Sequence, residues 1–256
     1  MKIIILAGGL GTRLSEETEL RPKPMVEIGG KPILWHIMKH YAHFGFKEFY
    51  IALGYKGEEI KRYFLEYYNL SGSMTIDFKS SKVEAYDREF EDWVVHFIDT
   101  GLTSNTGGRV KRLEPYLGNE SFMLTYGDGV SDINLDELLK FHRSHGLIAT
   151  VSAVRPPARF GGLLFDGDIV TAFTEKPQIG EGWINGGFMV FDSRVFNYLD
   201  GDGASLEADA LESLASDRQL AAYRHESFWQ CMDTLRDKRL LEGLWQEKRA
   251  PWKVWE

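Results

Sequence analysis

The chain has 256 residues, 43% of them hydrophobic and 13% aromatic, enough apolar material for the core of one sizeable α/β domain. Its formal net charge of −8 excludes a broad basic face for nucleic acid, so an anionic ligand must be met by locally placed cations or a metal. No apolar run approaches the roughly 18–20 residues of a membrane span, and the single cysteine, Cys231, excludes an intrachain disulfide and fits a reducing cytoplasm.

"KIIILA" (2–7) is a β-branched apolar run ending in glycine, which predicts a strand buried on both faces, as in a parallel sheet. The run is too short for a signal-peptide core, so none is expected. In "AGGLGTRL", Gly8, Gly9 and Gly11 allow close backbone approach, so several N–H groups can turn toward one anion while Arg13 adds charge. A Walker loop would need Gly-Lys-Ser/Thr where Thr12-Arg13 follows Gly11, and a Rossmann fingerprint read from Gly9 would need glycine in place of Leu14. On the glycines alone, a plain strand-to-helix turn explains the segment equally well. "RPKP" (21–24) shifts that balance. Arg21 and Lys23 each precede proline and are expected to be extended, Pro22 and Pro24 fix φ, and Lys23 is presented from a stiff segment at little ordering cost.

Pro32 opens a predicted helix, "PILWHIMKHYAHF", as its first residue. A strand "EFYIAL" (48–53) and a helix "GEEIKRYFLEYY" (57–68) follow. Further strands are read at "DWVVHFIDT", "SFMLTYGDG", "LIATVSAV" and "GGFMVF", and helices at "NLDELLKFHRSH" and "TLRDKRLLEGLWQ". This alternation predicts an α/β fold with a mainly parallel sheet and its loops gathered at one edge, where ligands bind. Asp166-Gly167 in "LLFDGDIVTAF" predicts a small antiparallel hairpin with a type I′ turn.

Within this frame, Asp128 ends an apolar strand between Gly127 and Gly129, a placement suited to Mg²⁺ or to a simple Asp-Gly turn. "TGGRVKRL" lets Arg109 reach a base or a phosphate, although Thr106 to Gly108 also reads as a loop before a helix. Glu175 and Lys176 before Pro177 repeat the rigid pattern of "RPKP", and "INGGFMV" sets Asn185 and two glycines ahead of a strand, in a loop able to bond sugar hydroxyls. Asp233 reads most simply as a helix N-cap or first-turn acid, and nothing in the sequence joins it to Asp128. His36, His40 and His43 lack a His-Glu-x-x-His pattern and read as core or solvent residues, and no Gly-x-Ser-x-Gly elbow is present. Cys231 reads as a buried small residue, and Trp245, Trp252 and Trp255 as a tail docking on the body or on a partner chain.

Taken together, "LAGGLGTRLSEET", "RPKPMVEIGGKPILWHIMKHY", "TGGR", "LTYGDGV", "FTEKP", "INGGF" and the "MDTLRDK…APWKVWE" ending resemble the sugar-nucleotide pyrophosphorylases of the nucleotidyltransferase family, in matching order along the whole chain. "SEET", "TGGR" and the ending are similar to the cytidylyl branch. The resemblance implies a Rossmann-like nucleotide-binding α/β domain over 1–256, with a sugar-binding part about 150–230 and a C-terminal helix and tail about 233–256. It also implies a reaction: CTP and α-D-glucose 1-phosphate give CDP-glucose and pyrophosphate. By similarity, Leu6, Ala7, Gly8, Gly9, Leu10, Gly11, Thr12 and Arg13 hold the nucleotide together with Lys23, Thr103, Ser104, Arg109 and Gly127. Arg13 and Lys23 are the expected catalytic cations, and Asp128 and Asp233 the expected Mg²⁺ ligands. Glu175, Lys176, Asn185, Gly186 and Glu207 are expected at the sugar phosphate. The same scaffold can take UTP or dTTP, and a silent nucleotide-sensing relative is the reading from another class. A cytoplasmic homo-oligomer without nucleic acid or membrane partners is expected, its product feeding dideoxyhexoses of a surface polysaccharide such as O-antigen.

Overall fold

The computed structural model describes residues 1–11, 21–156 and 182–256, and residues 162–166 and 169–174 as backbone. Strand β1 (Lys2–Leu6) lies inside a seven-stranded sheet, which is why Ile3, Ile4 and Ile5 are all fully buried. The other strands are β2 (Glu48–Leu53), β3 (Val94–Asp99), β4 (Phe122–Tyr126), β5 (Ala149–Val154), β6 (Ile184–Phe191) and β7 (Leu220–His225). Their order across the sheet is β7-β5-β6-β4-β1-β2-β3. β1 pairs in parallel with β2 and β4, β2 with β3, and β5 with β7. β6 alone runs against its neighbours β4 and β5. The mixed, mostly parallel sheet read from the sequence is therefore present, with the reversed strand in its interior.

Alternate residues of each strand face opposite layers. Ile3, Ile5, Phe49 and Ile51 join one core with helices α1 (Ile33–His43), α2 (Gly57–Leu70) and α4 (Leu135–His145). Ile4, Leu6, Tyr50 and Ala52 join the other with α3 (Thr106–Leu117) and the segment that carries the short helix α5 (Glu212–Ser216). Helix α6 (Leu235–Gln246) and the tail return to the first layer. Trp252 is fully buried there, and Trp245, Trp252 and Trp255 surround His36. The tail thus docks on its own body. His36 and His40 are core residues whose burial drops their pKa to about 4 despite backbone hydrogen bonds.

Several local expectations shift. Pro32 caps α1 from outside instead of opening it, because its backbone pairs with Glu27 in a two-residue ribbon. Thr106 to Gly108 form the first turn of α3, not a loop. Asn185 and both following glycines lie inside β6, not ahead of it. Strands 162–166 and 169–174 pair antiparallel as expected, while the turn residues 167–168 lie outside the described residues.

The parallel register aligns Leu6 with Ala52 and with Tyr126. The chain therefore leaves β1, β2 and β4 at one edge of the sheet, and Gly8, Gly54 and Gly127 converge there.

Candidate active site

One wall of the cleft at this edge is the glycine loop over a buried arginine. The Gly8 carbonyl accepts from the Tyr55 N–H (3.2 Å), and a Cβ on Gly8 would lie 2.3 Å from Arg109 Nη1. A Cβ on Gly54 would lie 2.4 Å from the same nitrogen, so both glycines are needed for the chain to close over the guanidinium. Arg109 Nη1 donates to Leu53 O (3.1 Å), Thr100 Oγ1 (2.9 Å) and Gly101 O (2.7 Å), and Nη2 donates to Leu102 O (3.3 Å). All four acceptors are neutral. Burial and the neighbouring Arg112 push its pKa down, though an arginine remains charged. Arg109 lines the cleft, but its donors mainly fasten the loops after β2 and β3 to helix α3.

The opposite wall holds Lys23, Asp128 and Asp233. Lys23 opens a single 3₁₀ turn, Lys23–Met25, closed by Met25 N–H to Pro22 O (2.8 Å). Its backbone is thus coiled where extended structure was expected, although the flanking prolines still stiffen it. Lys23 is buried, and its Nζ donates to Asp128 Oδ2 (2.7 Å) and to Asp233 Oδ1. Burial acts to lower its pKa, but the charge of Asp128 and the bonds to both carboxylates outweigh it, so the pKa is raised and the ammonium stays charged.

The two aspartates meet through a short antiparallel ribbon, Gly129–Ser131 with Trp229–Cys231, in which Cys231 faces Gly129 and Met232 N–H donates to Asp128 O (2.8 Å). Asp233 is not the cap of α6. Thr234 takes that position in a capping box with Asp237, whose carboxylate also accepts from the Asp233 N–H (3.1 Å). Cys231 beside them is unreactive in character, its thiol pushed up to about 12 by burial and the nearby carboxylates.

The N-terminus of α3 closes the third side. Asn105 caps the helix by accepting from the Thr106 N–H (2.9 Å), and Ser104, Asn105 and Thr106 all line the cleft, so the positive end of the helix faces it. Thr106 is tied across the cleft's base to Tyr126 by Glu207. Glu207 Oε2 accepts from Thr106 Oγ1 (2.6 Å) and Ser205 Oγ (3.1 Å), and Oε1 accepts from Tyr126 OH (2.5 Å). Burial opposes the ionised form of Glu207, but these hydroxyl donors prevail and hold its pKa below the ordinary range. Glu207 sits on a π-helical turn, Leu206–Leu211, packed against α3.

The cleft is open to solvent and has a volume of about 420 Å³. Leu6, Ala7, Gly8, Gly9, Gly11, Lys23, Ser104, Arg109, Gly127, Asp128 and Asp233, all named above by resemblance, line it. Thr103 and Leu10 are exposed and stand outside the lining. Glu207 reaches the cleft only through Thr106 and Tyr126. Asn185 and Gly186 lie near the start of β6 beside Tyr126: Asn185 Oδ1 accepts from the Gly187 N–H (2.9 Å), and a Cβ on Gly187 would strike the Tyr126 ring at 2.6 Å. Thr12, Arg13, Glu175 and Lys176 lie outside the described residues. Pro24, Asn105, Thr106 and Tyr126 are lining residues that the sequence reading did not single out. For Asn105 a signal existed: an Asx residue just before an apolar-periodic stretch is a helix start.

Two carboxylates converging on one ammonium form a hard oxygen site able to accept a divalent cation. Among the described residues no group of three His, Cys, Asp or Glu side chains is placed to hold a metal. Two aspartates fit Mg²⁺, which takes few protein carboxylates and completes its shell with phosphate and water oxygens.

A glycine loop, a helix N-terminus and an acid-bridged lysine gathered at the strand ends define a nucleotide-handling α/β protein. The nucleotidyl transferase family profile matches residues 2–243, and the chain belongs to that family. It is 50% identical over 257 residues to the glucose-1-phosphate cytidylyltransferase of Salmonella typhi, covering 100% of both chains. It is 44% identical over 256 residues to the probable glucose-1-phosphate cytidylyltransferase of Bacillus subtilis, again covering 100% of both. The fold is similar to that of HddC from Yersinia pseudotuberculosis, with a TM-score of 0.69 at 24% identity over 95% of this chain and 99% of that one.

Proposed function

We propose that the chain is a glucose-1-phosphate cytidylyltransferase, moving a cytidylyl group from CTP to α-D-glucose 1-phosphate and releasing pyrophosphate. Full-length identity of 50% to a relative of that name carries the reading, and the cleft supplies the chemistry it needs. The sugar phosphate is already a nucleophile, so no strong base is demanded. Rate acceleration comes from aligning its oxygen with the α-phosphorus opposite pyrophosphate, and from fixed charge around that phosphorus.

In this assignment the glycine loop and the N-terminus of α3 receive the nucleotide with Ser104, Arg109 and Gly127. Lys23, kept charged by its two acids, donates to the phosphates as negative charge shifts toward the leaving group. Arg13 serves the same phosphates. Asp128 and Asp233 hold Mg²⁺, which when bound neutralises phosphate oxygens. Glu175, Lys176, Asn185 and Gly186 meet the sugar phosphate, and Glu207 positions Tyr126 and Thr106 beside it. The whole chain acts as one domain, with the sugar contacts in about 150–230. The enzyme works in the cytoplasm as a homo-oligomer, and its product serves dideoxyhexose synthesis for a surface polysaccharide.

The test is pyrophosphate release with glucose 1-phosphate and Mg²⁺, supplying CTP, UTP, dTTP, ATP and GTP separately, with an EDTA control. Fast release with CTP that EDTA abolishes is expected. Release with UTP or dTTP instead would keep the chemistry and overturn the base assignment. Silence with all five would overturn the reading.

A further inference from the structure

Asp233 stands on neither of the elements that flank it. The ribbon strand ends at Cys231 and helix α6 begins at Leu235, so neither a ladder nor a helical bond fixes the Asp233 N–H. What fixes it is Asp237, one turn into the helix. Asp237 Oδ2 accepts from the Asp233 N–H (3.1 Å), the Thr234 N–H (2.9 Å) and Thr234 Oγ1 (2.8 Å), while Oδ1 accepts from Gln230 Nε2 (3.1 Å). A capping box accounts only for the bonds to Thr234. The Asp233 N–H lies ahead of the helix, outside the donors that a helix start leaves unpaired, and Gln230 lies on the ribbon. Gln230 is buried, and its amide also donates to Cys231 O (2.7 Å). Asp237 therefore grips the chain on both sides of Met232, whose side chain is fully buried and whose N–H is already held by Asp128 O. All four donors are neutral, so the charge of Asp237 stands uncompensated beside the other two acids, and the Cys231 thiol feels all three.

We propose that Asp237 is a positioning residue for the reaction assigned above: by clamping the backbone at Asp233, it holds the Asp233 carboxylate on Lys23 and in place for Mg²⁺. The proposal rests on the metal role given there to Asp128 and Asp233. Carboxylates that meet a metal depend on the groups hydrogen-bonded around them, and loss of such a group typically costs about 10–100-fold in metal affinity or activity. Asparagine cannot replace Asp237 in this position, because an amide accepts on one side only. With its oxygen turned to the backbone N–H groups, its NH₂ would face the Gln230 amide. Reversing Gln230 to accept that NH₂ would set the Gln230 oxygen against Cys231 O. One arm of the clamp is lost either way.

The test compares Asp237→Asn with Thr234→Ala, which removes the cap hydroxyl but leaves the Asp233 N–H its acceptor. Three readouts are taken: the Mg²⁺ concentration giving half-maximal pyrophosphate release, Mn²⁺ binding to the protein with CTP and no sugar phosphate by electron paramagnetic resonance, and the melting temperature. Asp237→Asn is expected to raise the Mg²⁺ requirement about tenfold or more and to weaken Mn²⁺ binding by a similar factor. Thr234→Ala is expected to lower the melting temperature and leave both metal readouts at the wild-type values. Wild-type metal readouts in Asp237→Asn would overturn the proposal. So would an equal change in Thr234→Ala, which would reduce Asp237 to its part in the cap. Should Asp237→Asn not fold, Gln230→Met removes one arm of the clamp and keeps the capping box. It is expected to weaken both metal readouts about fivefold, as loss of one ordinary hydrogen bond implies, and unchanged readouts there would overturn the proposal as well. A wild type that releases no pyrophosphate with any nucleotide, or releases it without a metal, would defeat the assigned reaction itself, a different result from full activity with an unmoved metal dependence.

Discussion

Lys23 and Arg109 line the same cleft, yet Lys23 gives its ammonium to two carboxylates while Arg109 gives its guanidinium to three carbonyls and a hydroxyl. The arginine's charge is uncompensated by its partners and locked in place, so it supplies a standing positive potential and holds the loops together. The lysine's charge is balanced by acids that themselves suit a cation. It is kept protonated by those acids at the cleft, where the proposed reaction would bring the phosphates of a nucleotide. Two cations in one pocket can thus divide the work, one fixing the frame and the other, in the proposed reaction, meeting the charge that develops.

The division gives different signatures on substitution. The largest effect is expected at the acids: Asp128→Asn or Asp233→Asn should lower kcat by on the order of a hundredfold or more, as loss of a preorganised charge does. Steady-state rates across a Mg²⁺ titration check this, and an unchanged rate and metal dependence would remove the residue from the site. Arg109→Met should act first on the frame. Leaving its buried carbonyls without donors should destabilise the fold by on the order of 3 kcal/mol, read as a lowered Tm with a raised KM for CTP. Wild-type stability would instead make Arg109 a free ligand contact.

Glu207→Gln is expected to be milder. An amide replaces a carboxylate that accepts from Tyr126, Thr106 and Ser205, and loss of a charge-assisted bond corresponds to about tenfold in KM for glucose 1-phosphate, with kcat little changed. The sign of its pH dependence follows from the lowered pKa. The ionised tie stabilises the fold above the ordinary carboxylate range and is lost as pH falls through the folded-state value. Melting curves of wild type and variant should therefore differ near neutrality and converge in acid. The smallest effect concerns Cys231. With its thiol pushed up to about 12, it should resist alkylation at pH 8, and rapid labelling of the native protein would contradict the described packing.

Much of this site could be read from local sequence because its parts are local. The apolar run of β1, the glycines after it, the proline-locked Lys23 and the Gly-flanked Asp128 each carry their own backbone reason. The meeting of Asp128 with Asp233 could not be read that way, since it depends on Gly129–Ser131 pairing with a strand about a hundred residues later. A partial signal was present. "TLRD" holds a capping box, Thr234 with Asp237, which would have released Asp233 from the role of cap. Helix α3 was obscured by Gly107 and Gly108, poor helix formers that the fold requires, because a Cβ on them would meet Ala204 O at 2.8 Å and Asp202 O at 2.2 Å. Glu207 bridges Tyr126 and Thr106, a placement set by long-range packing that composition and spacing do not encode.

In the proposed mechanism, Lys23 meets charge that appears only as the reaction proceeds. The direct measurement is kcat and KM of Lys23→Ala with saturating Mg²⁺, each substrate varied in turn, beside a thermal melt. A fall in kcat of about a hundredfold or more, with a smaller rise in either KM and a folded protein, is what the account requires. An undiminished kcat with KM alone raised would reduce Lys23 to a ground-state contact and contradict the account.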